Sequence, residues 1–255
     1  MTVIQVTGGT GTLGRRVAER LRTEGHEVRV LSRHAEPYAV DLREGGPGLD
    51  AALDGAETVV HCATTPRGGD EQATRKLIAA ARRAGTCHLV YISIVGVDRV
   101  PLGYYRSKLV AEREIEESGL GWTVLRATQF HDLLVTLFGR MARSPVMAVP
   151  AGVPDQPVEV AEVADRLAEL ALRGPAGRVA DMGGPEVRSF DSLARAYLRA
   201  TGRRRPVANV PLFGRVYGAL RAGHHLAPER TIGKVTFEEH LARRFGRGTP
   251  HGGGT

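Results

Sequence analysis

A glycine-rich turn set between a strand and a helix constrains this chain more than any other feature. Thr7-Gly8-Gly9-Thr10-Gly11-Thr12-Leu13-Gly14 follows a β-rich run over 2–6 and opens an amphipathic stretch over 13–24, in which Val17, Ala18 and Leu21 share one face. The glycines at 8, 11 and 14 play distinct parts. Gly8 permits a tight turn, Gly11 lets the backbone approach a pyrophosphate, and Gly14 lets the helix pack on the strand. The start of the helix adds free N–H groups and the positive end of its dipole, both of which favour an anion. Together they predict a dinucleotide site, with Thr10, Thr12, Leu13 and Arg15 completing the loop.

The rest of the first half alternates strand and helix patterns, the signature of βαβ units around a parallel sheet. Strands are predicted over 28–31, 38–42, 58–62, 88–93 and 122–126, and helices over 49–53, 70–84 and 104–117. Beyond residue 130 the pattern changes: helices over 130–143, 160–172 and 190–200 flank a Pro- and Gly-rich passage, with a further strand over 179–182. Residues 206–217 mix strand-like and loop character and receive no assignment. At 255 residues the chain suits one large α/β domain, divided into a core over 1–130, a smaller substrate-side part over 131–245 and a flexible Gly-rich tail over 246–255.

The type of dinucleotide is read from what ends the second strand. An NAD site usually holds Asp or Glu there to accept from the ribose hydroxyls. This chain has Ser32-Arg33-His34, and a hydroxyl with a guanidinium suits a 2'-phosphate, so NADP(H) is expected, with Arg15 able to join.

Charge and cysteine content exclude several classes. The net charge of +7 comes mostly from arginines scattered over helix faces, with concentrations at 203–205 and 243–247. No nucleic-acid module accompanies them, and a nucleic-acid partner is not expected. Two cysteines, Cys62 and Cys87, sit at opposite ends of neighbouring strands without metal-ligand spacing, so neither a disulfide nor a bound metal is expected. No run of eighteen apolar residues and no signal-peptide pattern is present, which predicts a cytoplasmic chain, monomeric or homodimeric, with no membrane partner.

Several segments resemble the short-chain dehydrogenase/reductase superfamily. They are the glycine loop, Asp41-Leu42, and Tyr91-Ile92-Ser93-Ile94-Val95-Gly96. Tyr104-Tyr105-Arg106-Ser107-Lys108 and Leu125-Arg126-Ala127-Thr128-Gln129-Phe130 are similar to the atypical, NmrA-like NAD(P)H-binding branch. The resemblance spans roughly residues 2–215 and implies a Rossmann-type doubly wound parallel sheet. It also implies a reducing site of Ser93, Tyr104 and Lys108. Spacing supports the last two, four residues apart and hence on one helix face. In that arrangement Tyr104 gives a proton to the oxyanion left by hydride transfer, Lys108 lowers the phenol's pKa and contacts the cofactor, and Ser93 binds the carbonyl oxygen. The family's topology brings Asp41 and Leu42 toward the adenine and Ala63, Thr64 and Thr65 toward the ribose and diphosphate. Ile92, Ala127 and Thr128 approach the cofactor further along, and Gln129, Phe130 and His131 stand on the substrate side.

The expected function is an NADPH-dependent oxidoreductase acting on a small-molecule carbonyl, quinone or enone. The residues leave a second reading open, a non-catalytic NADP(H)-binding redox sensor or accessory protein. In that case Tyr104 only packs and Lys108 only contacts the cofactor.

Overall fold

The computed structural model describes residues 1–64 and 68–246. The first half runs β1 (Val3–Thr7), α1 (Thr12–Thr23), β2 (Glu27–Leu31), α2 (Pro47–Leu53), β3 (Thr58–His61), α3 (Asp70–Arg83), β4 (His88–Ile94), α4 (Gly103–Glu116) and β5 (Gly121–Ala127). After it come α5 (His131–Met141), β6 (Met147–Pro150), β7 (Pro154–Asp155), α6 (Val160–Arg173), β8 (Gly177–Arg178) and β9 (Arg188–Ser189). The chain closes with α7 (Phe190–Ala200), β10 (Val207–Val210), α8 (Arg215–Arg221) and α9 (Phe237–Phe245).

Among the described residues, six strands form a parallel sheet in the order β2-β1-β3-β4-β5-β8. Both faces are covered: along β1, Ile4 and Val6 on one side and Gln5 and Thr7 on the other are all fully buried. Residues of α2, α3 and α4, among them Leu53, Leu77 and Ile115, share one core with Leu31, Val59, Leu89, Tyr91 and Val124 of the strands. Helices α1 and α6 pack on each other and on the remaining side, which makes the sheet doubly wound and Rossmann-type.

Two sequence expectations change at the sheet edges. The strand predicted over 38–42 is reduced to a single bridge between Ala39 and Ser32. Beyond it Asp41 leads into a turn, where the backbone N–H and guanidinium of Arg43 both donate to its carboxylate. The strand predicted over 179–182 lies earlier, at Gly177–Arg178 beside β5, and Met182 retains one bridge to Ala127.

The chain divides into two compact units, and the division is not a single cut near residue 130. The first unit is Met1–Ala127 together with Val160–Met182, so α6 and β8 return to it; the second holds Thr128–Glu159 and the residues from Gly183 onward. The second unit is built around Phe138, whose ring meets Phe190 at 5.1 Å, Tyr197 at 5.9 Å and Phe237 at 6.2 Å. Parallel β6 and β10 and antiparallel β7 and β9 complete it. The predicted basic tail is in part helix: Arg243 and Arg244 stand in the last turn of α9, which Gly246 caps, and residues 247–255 lie outside the described ones. Cys62 and Cys87 are free. No helix among the described residues is long and apolar enough to cross a membrane.

One polar chain crosses the first unit's core. His61 Nδ1 lies 2.7 Å from Thr7 Oγ1, its Nε2 3.2 Å from Thr74 Oγ1, and its ring stacks on Tyr91 at 5.2 Å. Burial, aided by the charge of Lys108, lowers its pKa from 6.5 to about 3. Between those values the unfolded chain binds a proton that the folded one does not. His61 thus costs nothing above pH 6.5 and removes stability as pH falls through the window. Trp122, the single tryptophan, packs against this core and reports its unfolding. In urea titrations followed by Trp122 fluorescence, the loss of stability on acidification is expected to be shallower in His61→Asn, by up to about 1.4 kcal/mol per pH unit. Equal slopes in the two proteins would refute this linkage.

Candidate functional site

All the sheet's strands run the same way, so the segments that follow them gather at one edge, where open α/β sheets bind ligands. After β1 the chain turns at Gly8, whose φ is +65°; its N–H donates to Leu31 O at 2.8 Å, and Gly11 N–H donates to Gly8 O at 2.9 Å. The loop has no room for side chains at its turn: a Cβ on Gly8 would stand 2.7 Å from the backbone of Ala63, and one on Gly9 2.6 Å from Val30. A Cβ on Gly14 would run into the Gly8 carbonyl.

Helix α1 starts at this loop with Gly11 as its N-cap, no capping side chain and no acidic residue in its first turn. With glycine at the N-cap the missing side chain forgoes only about a few tenths of a kcal/mol, which the buried face of Leu13, Val17, Ala18 and Leu21 more than offsets, at roughly 1.5–3 kcal/mol for each large side chain. The helix therefore keeps free, anion-seeking N–H groups. Thr10, Gly11, Thr12 and Arg15 are exposed beside them, while Leu13 and Gly14 are buried.

After β2, Arg33 is exposed and Ser32 is half-buried, its hydroxyl accepting from His34 N–H at 3.3 Å. Asp41 binds Arg43, and that guanidinium's hydrogen bonds hold its carboxyl down at about 2. Leu42, expected near an adenine, belongs to the core instead. Ala63 and Thr64 follow β3 as expected; Thr65 lies outside the described residues.

The reducing residues are only partly assembled as expected. Tyr104 and Lys108 do share α4, which a bidentate pair between Glu112 and Arg126, at 2.6 and 2.9 Å, clamps to β5. The Tyr104 hydroxyl lies 2.9 Å from Thr64 Oγ1, and Thr64 Oγ1 in turn donates to Asp70 Oδ2 at 2.6 Å. Lys108 turns its ammonium to Asp70 rather than to the phenol. Its Nζ lies 3.8 Å from Asp70 Oδ2, donates to Ile92 O at 3.2 Å and sits 4.7 Å above the Tyr91 ring. The Tyr104 pKa moves opposite to the expected lowering: burial raises it, against the hydrogen bond with Thr64, and the Asp70 charge adds to the rise. Burial lowers that of Lys108, against the opposing pull of Asp70.

Ser93 stands apart from this chain. Its hydroxyl is buried without a hydrogen-bond partner among the described residues, and the hydroxyl that meets Tyr104 is that of Thr64. Asp70 was missed because a carboxylate at a helix start reads as a favourable first-turn charge. Its burial, 3% exposed, has no sequence signature.

Ala127 ends β5, and Thr128, Gln129 and Phe130 lead into α5. His131, expected on the substrate side, is wholly buried: its Nε2 meets Val235 O at 3.1 Å and its ring packs on Phe237 and His240. Burial lowers its pKa to about 4, so it packs as a neutral imidazole. Nearby, Asp132, Glu159 and His240 bring potential metal-ligating atoms within 4.8 Å of one another. His240 Nδ1 already meets Glu159 Oε2 at 2.7 Å and Arg244 meets Asp132 at 2.9 Å, pairs that staple α9 to α5 and the approach to α6.

Comparison with known proteins identifies the family. A family profile described as NAD(P)H-binding matches residues 8–172. A (4-alkanoyl-5-oxo-2,5-dihydrofuran-3-yl)methyl phosphate reductase of Streptomyces griseus is 32% identical over 216 residues, which is 79% of this chain and 74% of that protein. Quinone oxidoreductase 2 of Escherichia coli is 25% identical over 217 residues, 79% of this chain and 75% of its own. The crystal structure of the Escherichia coli NADPH-dependent quinone oxidoreductase complexed with NADPH shares the fold, with a TM-score of 0.81 at 20% identity over 95% of this chain and 99% of that one. The glycine loop, the parallel sheet and these matches together make the chain a member of the NAD(P)H-binding, NmrA-like family.

Proposed function

We propose that the protein is an NADPH-dependent oxidoreductase that delivers a hydride to a small-molecule carbonyl, quinone or enone. The observation that carries this reading is the Tyr104 hydroxyl, bonded to Thr64 and one step from the Asp70–Lys108 pair, on the sheet edge that holds the glycine loop.

The residues present fit a dinucleotide. The uncapped N-terminus of α1, with Gly8, Thr10, Gly11, Thr12 and Arg15, would hold the pyrophosphate, and the crowding at Gly8 and Gly14 leaves the backbone itself as the cradle. Ser32 and Arg33 would take the 2'-phosphate, Asp41, Ala63 and Thr64 the adenosine side, and Ile92, Lys108, Ala127 and Thr128 the far end. When bound, NADPH supplies the hydride.

Reduction leaves an alkoxide or enolate oxygen on the substrate, which must gain a proton. Tyr104 is the donor, and its raised pKa keeps it protonated at neutral pH. That state suits reduction; oxidation of an alcohol would call for a phenolate. Thr64 is exposed while Ser93 is not, so the hydroxyl in reach of a ligand is Thr64. The two relatives support the acceptor class, one named for a quinone and the other for an acylated, unsaturated oxo-dihydrofuran.

Purified protein is expected to oxidise NADPH when offered quinones and acyl butenolides, read from the nicotinamide absorbance, and to do so more slowly with NADH. Losing one charge-assisted contact of about 1.5 kcal/mol, Arg33→Ala should narrow the NADPH:NADH affinity ratio about tenfold. Equal affinities in the unaltered protein would sink the cofactor assignment. Tight NADPH binding without turnover of any acceptor would make the protein a sensor.

A further inference from the structure

Asp70 is the acid that the sequence did not single out, and its surroundings argue for a role in the reducing site beyond the start of α3. It is 3% exposed, accepts from Thr64 at 2.6 Å and faces Lys108 at 3.8 Å. Hydrogen-bond direction follows from chemistry. A carboxylate only accepts, so the single Thr64 proton goes to Asp70, and the Thr64 oxygen must accept from Tyr104. The phenol proton is thereby aimed along a fixed line at an exposed hydroxyl.

Lys108 needs a counter-charge for a separate reason. It is 2% exposed, lies over the Tyr91 ring and has the Cys62 thiol, His61 and the Glu112 carboxylate among the groups that sense its charge. His61 is held neutral and Cys62 is pushed up to about 12, so neither offers an anion. Glu112 is spent on Arg126. Asp70 is the carboxylate left to face the ammonium, since an isolated buried charge is costly without a partner.

We propose that Asp70 is the positioning residue of this site: its carboxylate anchors the Lys108 ammonium and, through the Thr64 hydroxyl, orients the Tyr104 hydroxyl. The consequence for turnover rests on the reductase reading above; the anchoring of Lys108 does not.

The test uses Asp70→Asn, which keeps the shape and a good helix-start residue, and Asp70→Glu, which keeps the charge. The chain has three lysines, Lys76, Lys108 and Lys234, so isotope-labelled lysine NMR resolves Lys108, assigned by its absence in Lys108→Arg. Without Asp70's charge, Lys108 should titrate at least one pH unit lower in Asp70→Asn, and near its original value in Asp70→Glu. Turnover in Asp70→Asn should fall 10-fold or more, with the high-pH limb of kcat moved downward because the Tyr104 and Lys108 pKa values both drop. An unchanged Lys108 titration overturns the proposal whatever the activity. A shifted titration with unchanged turnover and limb overturns Asp70's part in the reaction. Should Tyr104→Phe retain full turnover, Tyr104's part as proton donor fails, and should the unaltered protein turn over no acceptor, the reductase reading fails; in either case the Lys108 result still decides the anchor.

Discussion

Replacing Tyr104 by phenylalanine is expected to lower kcat for NADPH-dependent reduction by about 10²–10⁴-fold, the usual contribution of a general acid. Affinity for NADPH should stay within a few-fold. The substitution removes only the hydroxyl that meets Thr64 and leaves the ring, which stands edge-on to Tyr105 with centroids 6.4 Å apart. Helix α4 is held elsewhere, by the Glu112–Arg126 pair, so the fold should not follow the activity down. Steady-state kinetics alongside a fluorescence titration of NADPH separate the two effects. A kcat within a factor of three of the unaltered enzyme would show that the proton comes from another group.

The second large effect belongs to the glycine loop. Gly8→Val is expected to weaken NADPH binding at least 100-fold. A β-branched residue at φ +65° is strained by about 1–3 kcal/mol, and its Cβ would be forced to 2.7 Å from the Ala63 backbone. Relief means moving the segment after β3 or opening the turn, and either displaces the N–H groups at the start of α1. Gly25→Val is the matched control: its φ is +83°, and a Cβ there meets nothing within 4 Å. It should cost stability through backbone strain alone, less than Gly8→Val, and leave binding intact. Thermal melts and NADPH titrations of both variants make the comparison. Parallel loss of affinity in the two would reduce the Gly8 effect to strain alone.

The contrast between these sites shows what the sequence could convey. The glycine loop was legible because local spacing dictates it: strand, turn and helix are consecutive, and the strands over 58–61 and 88–94 and the helices of the first unit are strongly patterned. Tyr104 and Lys108 were legible as a helical pair, but their partners were not. Asp70 and Thr64 reach them through tertiary placement, and the sequence separation of 40 residues between Thr64 and Tyr104 carries no periodic trace. Over 38–42 the apolar pattern overstated the pairing, which is a single bridge at Ala39, and Asp41 beyond it bonds to Arg43 two residues on. In the second unit, β6 and β10 are four residues each and bordered by prolines, too short for alternation to stand out. Helix α9 did leave a signal: Thr236 and Glu239 form a reciprocal capping box, and Phe237, Leu241 and Phe245 recur at helical spacing. The run of arginines drew attention to charge and hid it.

The return of Val160–Met182 to the first unit bears on how such proteins can be re-engineered. β8 supplies the outer neighbour of β5, and α6 covers α1, so a fragment ending at residue 130 would bare a strand edge and the apolar flank of α1 together. The second unit is drawn from two stretches of chain, 128–159 and 183 onward, and the span between them, Val160–Met182, belongs to the first unit. A chimaera that exchanges the second unit between relatives therefore has to carry both stretches while residues 160–182 stay with the first unit.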